Sequence, residues 1–191
     1  LVWWWCFPFE EAVTERAELD QKKLDALWNE LGQEEGPKAY RAMLALAGGG
    51  ERTVRFLTEK VAPVAIGDKR LRTLIADLDD DKYAVRAKAF GELSLAEGAA
   101  EAALREAMKA WPSAEARAAM ERLLEGCARR YPATPAARRT ARAVRILELI
   151  GTQRAAKTLG SLAEGDAKAR ATQQTKAALA RLAKRKRPPR E

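Results

Sequence analysis

A basic chain of 191 residues, with a formal charge of +8 and 47% apolar residues, is long enough to bury its own core, so it needs neither metal ions nor disulfides for stability. Histidine is absent, which excludes histidine-dependent triads and removes the usual general base and the commonest transition-metal ligand. The only cysteines, Cys6 and Cys127, predict two reduced thiols in a cytoplasmic protein, because they cannot form a disulfide framework or a four-cysteine zinc site.

The chain opens with an apolar stretch, Leu1–Phe9, that carries Trp3, Trp4 and Trp5. It is too short to span a membrane and lacks the basic lead and cleavage site of a secretory signal, so we expect no membrane association. A lone monomer rarely exposes such a cluster. We expect it to pack on the helices that follow, to complete a missing neighbouring domain or to cause association. Residues 1–19 are assigned as an apolar stub and linker.

Five amphipathic helices are predicted in the first half of the chain, because apolar residues recur at the i, i+3, i+4 and i+7 positions of a helix face. Breaks are expected at Gly36-Pro37, in the glycine run 48–50, and before Pro63, while Asp79-Asp80 supplies the cap of the fifth helix. The predicted faces are Leu24, Leu27, Trp28 and Leu31; Tyr40, Met43, Leu44 and Ala47; Val54, Leu57 and Val61; Leu71, Leu74, Ile75 and Leu78; and Tyr83, Ala87, Phe90 and Leu93.

Five more helices follow, separated by Pro112-Ser113, Gly126, Thr134-Pro135 and Gly151-Thr152. No strand-like alternation of useful length interrupts them, so the fold class is all-α, with a helical-repeat domain at 20–183. The predicted faces are Ala100, Ala103, Leu104, Ala107 and Met108; Ala116, Ala119, Met120 and Leu123; Ala143, Ile146, Leu147 and Ile150; Ala155, Thr158, Leu159 and Leu162; and Thr175, Ala178, Leu179 and Leu182.

An arginine followed by alanine recurs near the start of four helices, as Arg86, Arg117, Arg142 and Arg170, at spacings of 31, 25 and 28 residues. Internal repetition separates a solenoid of stacked helix pairs from a globular bundle, and a drifting period is typical of diverged repeats. These arginines either form a structural ladder with turn carboxylates of adjacent repeats or line one face that contacts an anionic partner.

The run from Ile75 to Ala89 resembles the start of a HEAT-like repeat of the bacterial kind, in which an acidic turn precedes a helix that opens with Val-Arg. The resemblance covers roughly residues 70–183. It implies a HEAT-like α-solenoid in which alanines let paired helices approach closely.

A narrower resemblance is carried by four segments, 38–47, 54–57, 74–79 and 144–152. Over about residues 24–182 the chain resembles the helical module that follows tryptophan-aspartate-repeat β-propellers in large bacterial proteins. It implies a scaffold or protein-interaction module without catalytic residues. In such proteins the last propeller strand ends in Leu-Val-Trp-Asp, so Leu1-Val2-Trp3, with Trp4 in place of Asp, leads us to expect the C-terminal part of a larger multidomain protein.

Two motif-like segments predict neither a metal nor a cofactor. Asp77, Asp79 and Asp81 have the spacing of a calcium loop, but Lys82 and Lys88 stand where that loop needs glycine and glutamate. The glycine run 48–50 lacks both the preceding strand and the Gly-Lys-Ser/Thr of a phosphate loop. We therefore expect an acidic capping turn and a helix-to-helix turn.

All of the positive excess lies in residues 129–191, which hold 17 basic and 4 acidic residues. The chain ends in a predicted disordered basic tail, 184–191, that includes Lys184, Arg185, Lys186 and Arg187. Clustered charge favours phosphate-backbone binding, yet no aromatic residue that could stack on a base follows residue 131. The main prediction is a non-enzymatic protein-interaction or scaffold module with an unidentified protein partner. The alternative is weak, non-specific nucleic-acid binding through this basic third.

Overall fold

The structure, a computed structural model, describes residues 19–110, 112–128 and 134–185. Within these ranges it contains ten α-helices and no β-strand, which confirms the all-α prediction. Short 3-10 turns, Glu97–Ala99 and Met108–Ala110, flank α6. The helices are α1 (Gln21–Glu30), α2 (Gly36–Gly48), α3 (Gly50–Lys60), α4 (Asp68–Asp77), α5 (Tyr83–Leu95), α6 (Glu101–Ala107), α7 (Ala114–Ala128), α8 (Pro135–Ile150), α9 (Gln153–Leu162) and α10 (Arg170–Arg185).

The capping signals of the last third act as predicted. The Thr134 hydroxyl accepts from the backbone N–H of Ala137 at 3.2 Å and begins α8. Gly151 ends the same helix in the left-handed region, at φ 61°. Thr152 then caps α9 through the N–H of Ala155. These caps satisfy donors that the first helical turn leaves without intrahelical partners.

The predicted cap of α5 is wrong. The helix begins at Tyr83, its N-cap residue is Lys82, and no side chain caps it. The Asp80 carboxylate instead accepts from the backbone N–H of Lys82 at 2.8 Å. Aspartate readily bonds the backbone two residues ahead, so it stabilises the turn before the helix rather than the helix end itself.

Two predicted core aromatics lie on the surface: Tyr40 is 49% exposed and Tyr83 is 76% exposed. α2 buries Ala39, Ala42, Leu46 and Ala47 instead, and α5 buries Ala89, Leu93 and Ser94, while Ala87 is exposed. Small side chains on the inward face allow close helix contact, and the two tyrosines lie on the outward side of their helices. Periodicity alone did not distinguish these neighbouring faces.

The buried apolar residues form two core clusters. The first is built by α1–α3 together with α8–α10, and the T-shaped pair of Trp28 and Phe56, 6.3 Å between ring centroids, connects α1 to α3 beside it. The second is built by α4–α7 and the turn that precedes α6, around Leu74, Leu93 and Leu104. The middle four helices are therefore inserted between two parts of the chain that share one core.

The order of packing differs from the order of the chain. α2 lies against α8 and α3 against α9, whereas α4 contacts α6 and α5 contacts α7. Helices α4–α7 are stacked as successive helix pairs. Helices α1–α3, in contrast, pack against α8–α10, which lie far from them in sequence. The solenoid arrangement, in which each repeat contacts only its neighbours, is therefore not confirmed.

The loop between α9 and α10 connects the two halves of the described structure. The backbone N–H of Asp166 donates to the carbonyl of Val64, in the α3–α4 linker, at 2.7 Å. Gly98 approaches the carbonyl of Lys168 so closely that a β-carbon there would lie 2.4 Å from the oxygen. Gly165 faces Val64 at similarly short range. These contacts fix three linkers against one another.

A buried carboxylate joins α8 to α10. Glu148 has an exposed fraction of 0%, and its Oε1 and Oε2 accept from Nε and Nη2 of Arg181 at 2.7 and 2.9 Å. Arg145 lies 2.9 Å from Oε2. The Arg181 hydrogen bonds lower the pKa of Glu148 and outweigh burial, which acts in the opposite direction. The carboxylate therefore stays ionised inside the fold.

The helical fold extends slightly beyond both ends of the predicted domain, 20–183. Leu19, assigned to the stub, is buried in the first cluster. α10 continues to Arg185, two residues into the predicted tail, so Lys184 and Arg185 are helical. None of the described helices has the length and apolar character that crossing a bilayer requires.

Candidate docking groove

A wide groove that is open to solvent lies between α3 and α9. One wall comes from α3, which buries Thr53, Val54, Phe56 and Leu57 and turns the other face, with Arg55, Thr58 and Glu59, outward. The helix ends before Val61, whose backbone is extended, and the following Ala62-Pro63 cannot continue it. This end of α3 adds apolar surface to the groove.

α9 supplies the opposite wall. Its buried face holds Ala155, Leu159 and Leu162 against the first core cluster. Arg154 and Lys157 are exposed on the side of α9 that lines the groove. An amphipathic helix of ten residues thus presents cations to the groove while its other side is anchored in the core.

The groove has a volume of about 550 Å³ and is open to solvent. Its size lies within the range of ligand and peptide pockets. Val61, Ala62, Pro63 and Leu162 contribute apolar lining, and Ser161 adds a hydroxyl. The remaining lining residues are Arg55, Thr58, Glu59, Arg154, Lys157 and Thr158.

Two threonine hydroxyls join the walls. The Oγ1 atoms of Thr58 and Thr158 are 2.8 Å apart, and each also lies within hydrogen-bond distance of a carbonyl of its own helix, that of Val54 or Arg154. Because each hydroxyl donates only one proton, at most two of these three contacts are hydrogen bonds at any one time. The pair connects residues 100 positions apart in sequence.

The cations of the groove differ in how far they are neutralised. Arg154 lies 3.4 Å from a Glu51 carboxylate oxygen. Arg55 and Lys157 form no hydrogen bond or ion pair with the part of the chain that the structure describes, although Glu59 lines the same groove. Two exposed positive charges therefore lie beside apolar lining without a partner among the described residues.

A smaller groove of about 400 Å³ lies between α5 and α7 and includes the exposed Tyr83. Its cations already face rings: Arg86 lies 5.9 Å from the Tyr83 centroid, and Arg122 lies 5.4 Å from that of Phe90. These cation–π contacts occupy the charged groups. We therefore regard the groove between α3 and α9 as the better candidate site.

Three of the four recurring arginines donate to backbone carbonyls of helix ends or turns. Arg86 bonds the carbonyls of Asp80 and Asp81, Arg142 those of Leu31 and Gln33, and Arg170 those of Gly126 and Cys127. The predicted partners, turn carboxylates, are replaced by carbonyls because the last carbonyls of a helix lack intrahelical donors and attract cations. Arg117 has no such contact within the described ranges.

Two further arginines of α8 contact the end of α1. Arg138 Nε donates to the carbonyl of Gly32 at 2.8 Å, and Arg139 Nε donates to that of Trp28 at 3.1 Å. With Arg142, whose pKa is lowered mainly by burial and then by the charge of Arg138, they fasten α8 to the α1–α2 turn. Much of the basic excess in α8 therefore serves internal packing.

The other predicted contact residues lie at the C-terminal end. Lys184 and Arg185 are exposed in the last turn of α10. Lys186 and Arg187 lie outside the described residues, as do Trp3, Trp4 and Trp5. No group of three or more histidine, cysteine or acidic side chains suited to a metal ion occurs in the described ranges. None of the recurring arginines belongs to the groove between α3 and α9.

Comparison with protein families, with curated proteins and with solved structures finds no match to this chain. The relationship to HEAT-like repeats and to the module that follows propellers therefore stays a prediction.

Proposed function

We propose that this chain is a non-enzymatic protein-interaction or scaffold module whose partner docks in the groove between α3 and α9. The observation that carries the proposal is an open groove of about 550 Å³ with apolar lining and two cations, Arg55 and Lys157, that the described residues leave without partners. A partner gains affinity there by covering apolar surface and by pairing with charges that need not first leave a partner among the described residues.

The scaffold on which the groove lies supports this role. Both walls are anchored in one core cluster, so docking requires little ordering of the helices, and preorganisation limits the entropic cost of binding. The stacked helix pairs α4/α5 and α6/α7 support the HEAT-like part of the proposal. The segments that resemble the module after propellers support a place within a larger, cytoplasmic scaffold protein.

Site-specific photocrosslinking tests the proposal. Benzoylphenylalanine replaces Lys157 in the groove or, as a control, the exposed Arg72 on α4, and each variant is irradiated in its native cell. We expect a discrete protein adduct from position 157 that position 72 does not give and that charge reversal at Arg55 abolishes. Absence of an adduct at position 157, or the same adducts at both positions, contradicts the proposal.

The second candidate is weak nucleic-acid binding through the basic last third, which the exposed Lys184 and Arg185 favour. Because the arginines of α8 donate to the α1–α2 turn, fewer cations remain for phosphates. Titration of short duplex DNA and single-stranded RNA at low and high salt tests this role. Steeply salt-dependent binding that Lys184→Glu weakens supports it, and no binding at low salt ends it.

A further inference from the structure

The charges that line the groove between α3 and α9 indicate what kind of segment fits it. Three lining residues are basic, Arg55, Arg154 and Lys157, and one is acidic, Glu59. Glu51 neutralises Arg154 in part, but no contact within the described ranges neutralises the other two cations. The groove thus keeps an excess of positive charge, on side chains fixed to two helices that share a core.

We propose that the occupant is an acidic segment of a protein partner that also carries an apolar anchor. Its carboxylates pair with Arg55 and Lys157, one on each wall. Its apolar side chain covers the exposed Ala62 and Pro63, which lie in the same lining as the largely buried Val61 and Leu162. This inference rests on the proposed function and adds the chemistry of the partner to it.

Charge position favours an acidic segment over a neutral or basic one. A basic segment would meet a single carboxylate, Glu59, among three cations, and like charges brought together in an interface oppose binding. Exposed ion pairs are individually weak, so the apolar contact has to supply much of the affinity. The two cations then determine which apolar segments are accepted.

The lining favours a protein segment over a nucleic acid. No lining residue of this groove is aromatic, so bases have no ring on which to stack. The exposed Ser161 hydroxyl suits a backbone amide or carbonyl of an extended or irregular peptide.

Selection from a random peptide library displayed on phage tests the inference with the full chain as target. Two double variants change the net charge equally: Arg55→Glu with Lys157→Glu in the groove, and Arg72→Glu with Lys176→Glu outside it. All four replaced side chains are exposed, so both variants should fold, which circular dichroism checks. Selected peptides are synthesised and their affinities measured by fluorescence anisotropy.

We expect selected peptides to be acidic with a leucine- or phenylalanine-like anchor. The groove variant should weaken their binding at least about tenfold and the control variant much less, because the control alters only charges that do not line the groove. Glu59→Gln should strengthen binding, since it removes the one negative charge of the lining.

Different failures separate this inference from the proposed function. Selected peptides that are neutral or basic and still lose affinity in the groove variant refute the acidic occupant and retain the docking site. Peptides that bind both double variants as tightly as the native chain refute the groove as their site. Failure to select any binding peptide, together with no photocrosslinked adduct at position 157, refutes both.

Discussion

The buried carboxylate between α8 and α10 gives an asymmetric mutational prediction. Arg181→Met removes two charge-assisted hydrogen bonds and leaves Glu148, with an exposed fraction of 0%, paired only with Arg145. Removing one partner of a buried ion pair commonly costs about 3–5 kcal/mol. Because Arg145 remains 2.9 Å away, we expect a smaller loss of unfolding free energy, about 1–3 kcal/mol.

Replacing the carboxylate should be less harmful than replacing its partner. Arg181 and Arg145 have exposed side-chain fractions of 51% and 44%, so they can return to water when Glu148 is removed. We therefore expect the double variant Glu148→Met with Arg181→Met to be more stable than Arg181→Met alone. Urea unfolding followed by circular dichroism measures all three free energies, and a double variant less stable than Arg181→Met would refute the reasoning.

Lowering the pH should reduce the difference in unfolding free energy between Arg181→Met and the native chain. In the native fold the pKa of Glu148 lies below its ordinary value of 4.5, so its contribution is present above that value and is lost as the pH falls through the lower folded pKa. Without Arg181, the largest of the influences that lower the pKa of Glu148 is lost and only Arg145 still acts against burial. The pKa of Glu148 is then higher than in the native fold, so protonation relieves the buried charge earlier as the pH falls. If Arg181→Met loses the same unfolding free energy relative to the native chain at neutral pH and near pH 4, this explanation is wrong.

Two further substitutions test contacts between distant parts of the chain, each with a matched control and both read from thermal melting. Gly165→Ala should cost about 1–3 kcal/mol, because a β-carbon would lie 2.8 Å from the backbone carbonyl oxygen of Val64 and 2.6 Å from the Thr172 hydroxyl. Gly160→Ala, with nothing within 4 Å of the added β-carbon, should be neutral or stabilising. Arg142→Ala should cost about 2 kcal/mol through its two carbonyl hydrogen bonds, and Arg117→Ala should change stability by less than about 0.5 kcal/mol. Equal effects within either pair would show that the contacts contribute nothing.

The number of helices and most of their ends could be predicted, because periodicity and caps are properties of neighbouring residues. Thr134, Gly151 and Thr152 each act where the sequence places them. The inward faces of α2 and α5 could not be assigned in the same way, because Tyr40 and Tyr83 fit the apolar pattern as well as the alanines that are buried.

No motif or residue spacing in the sequence indicated the groove. Arg55, Thr58 and Glu59 are ordinary polar residues of one helix, and Lys157 and Thr158 lie some hundred residues further along the chain. Their proximity depends on which helices pair, and periodicity does not specify the pairing of elements so far apart. The recurring arginines did indicate contacts between helices. Their acceptors are backbone carbonyls of helix ends or turns, and because every residue has such a carbonyl, the sequence does not show which ones accept.

The proposed docking groove exists only if α3 lies beside α9, and an engineered disulfide measures this most directly. Thr58→Cys and Thr158→Cys are introduced together, with Cys6 and Cys127 replaced by serine. Since the two hydroxyl oxygens are 2.8 Å apart, we expect mild oxidation to form an intramolecular disulfide that speeds migration on a non-reducing gel and raises the melting temperature. Two thiols that stay free under the same oxidation, as stacking strictly in chain order would leave them, would contradict the fold on which the groove depends.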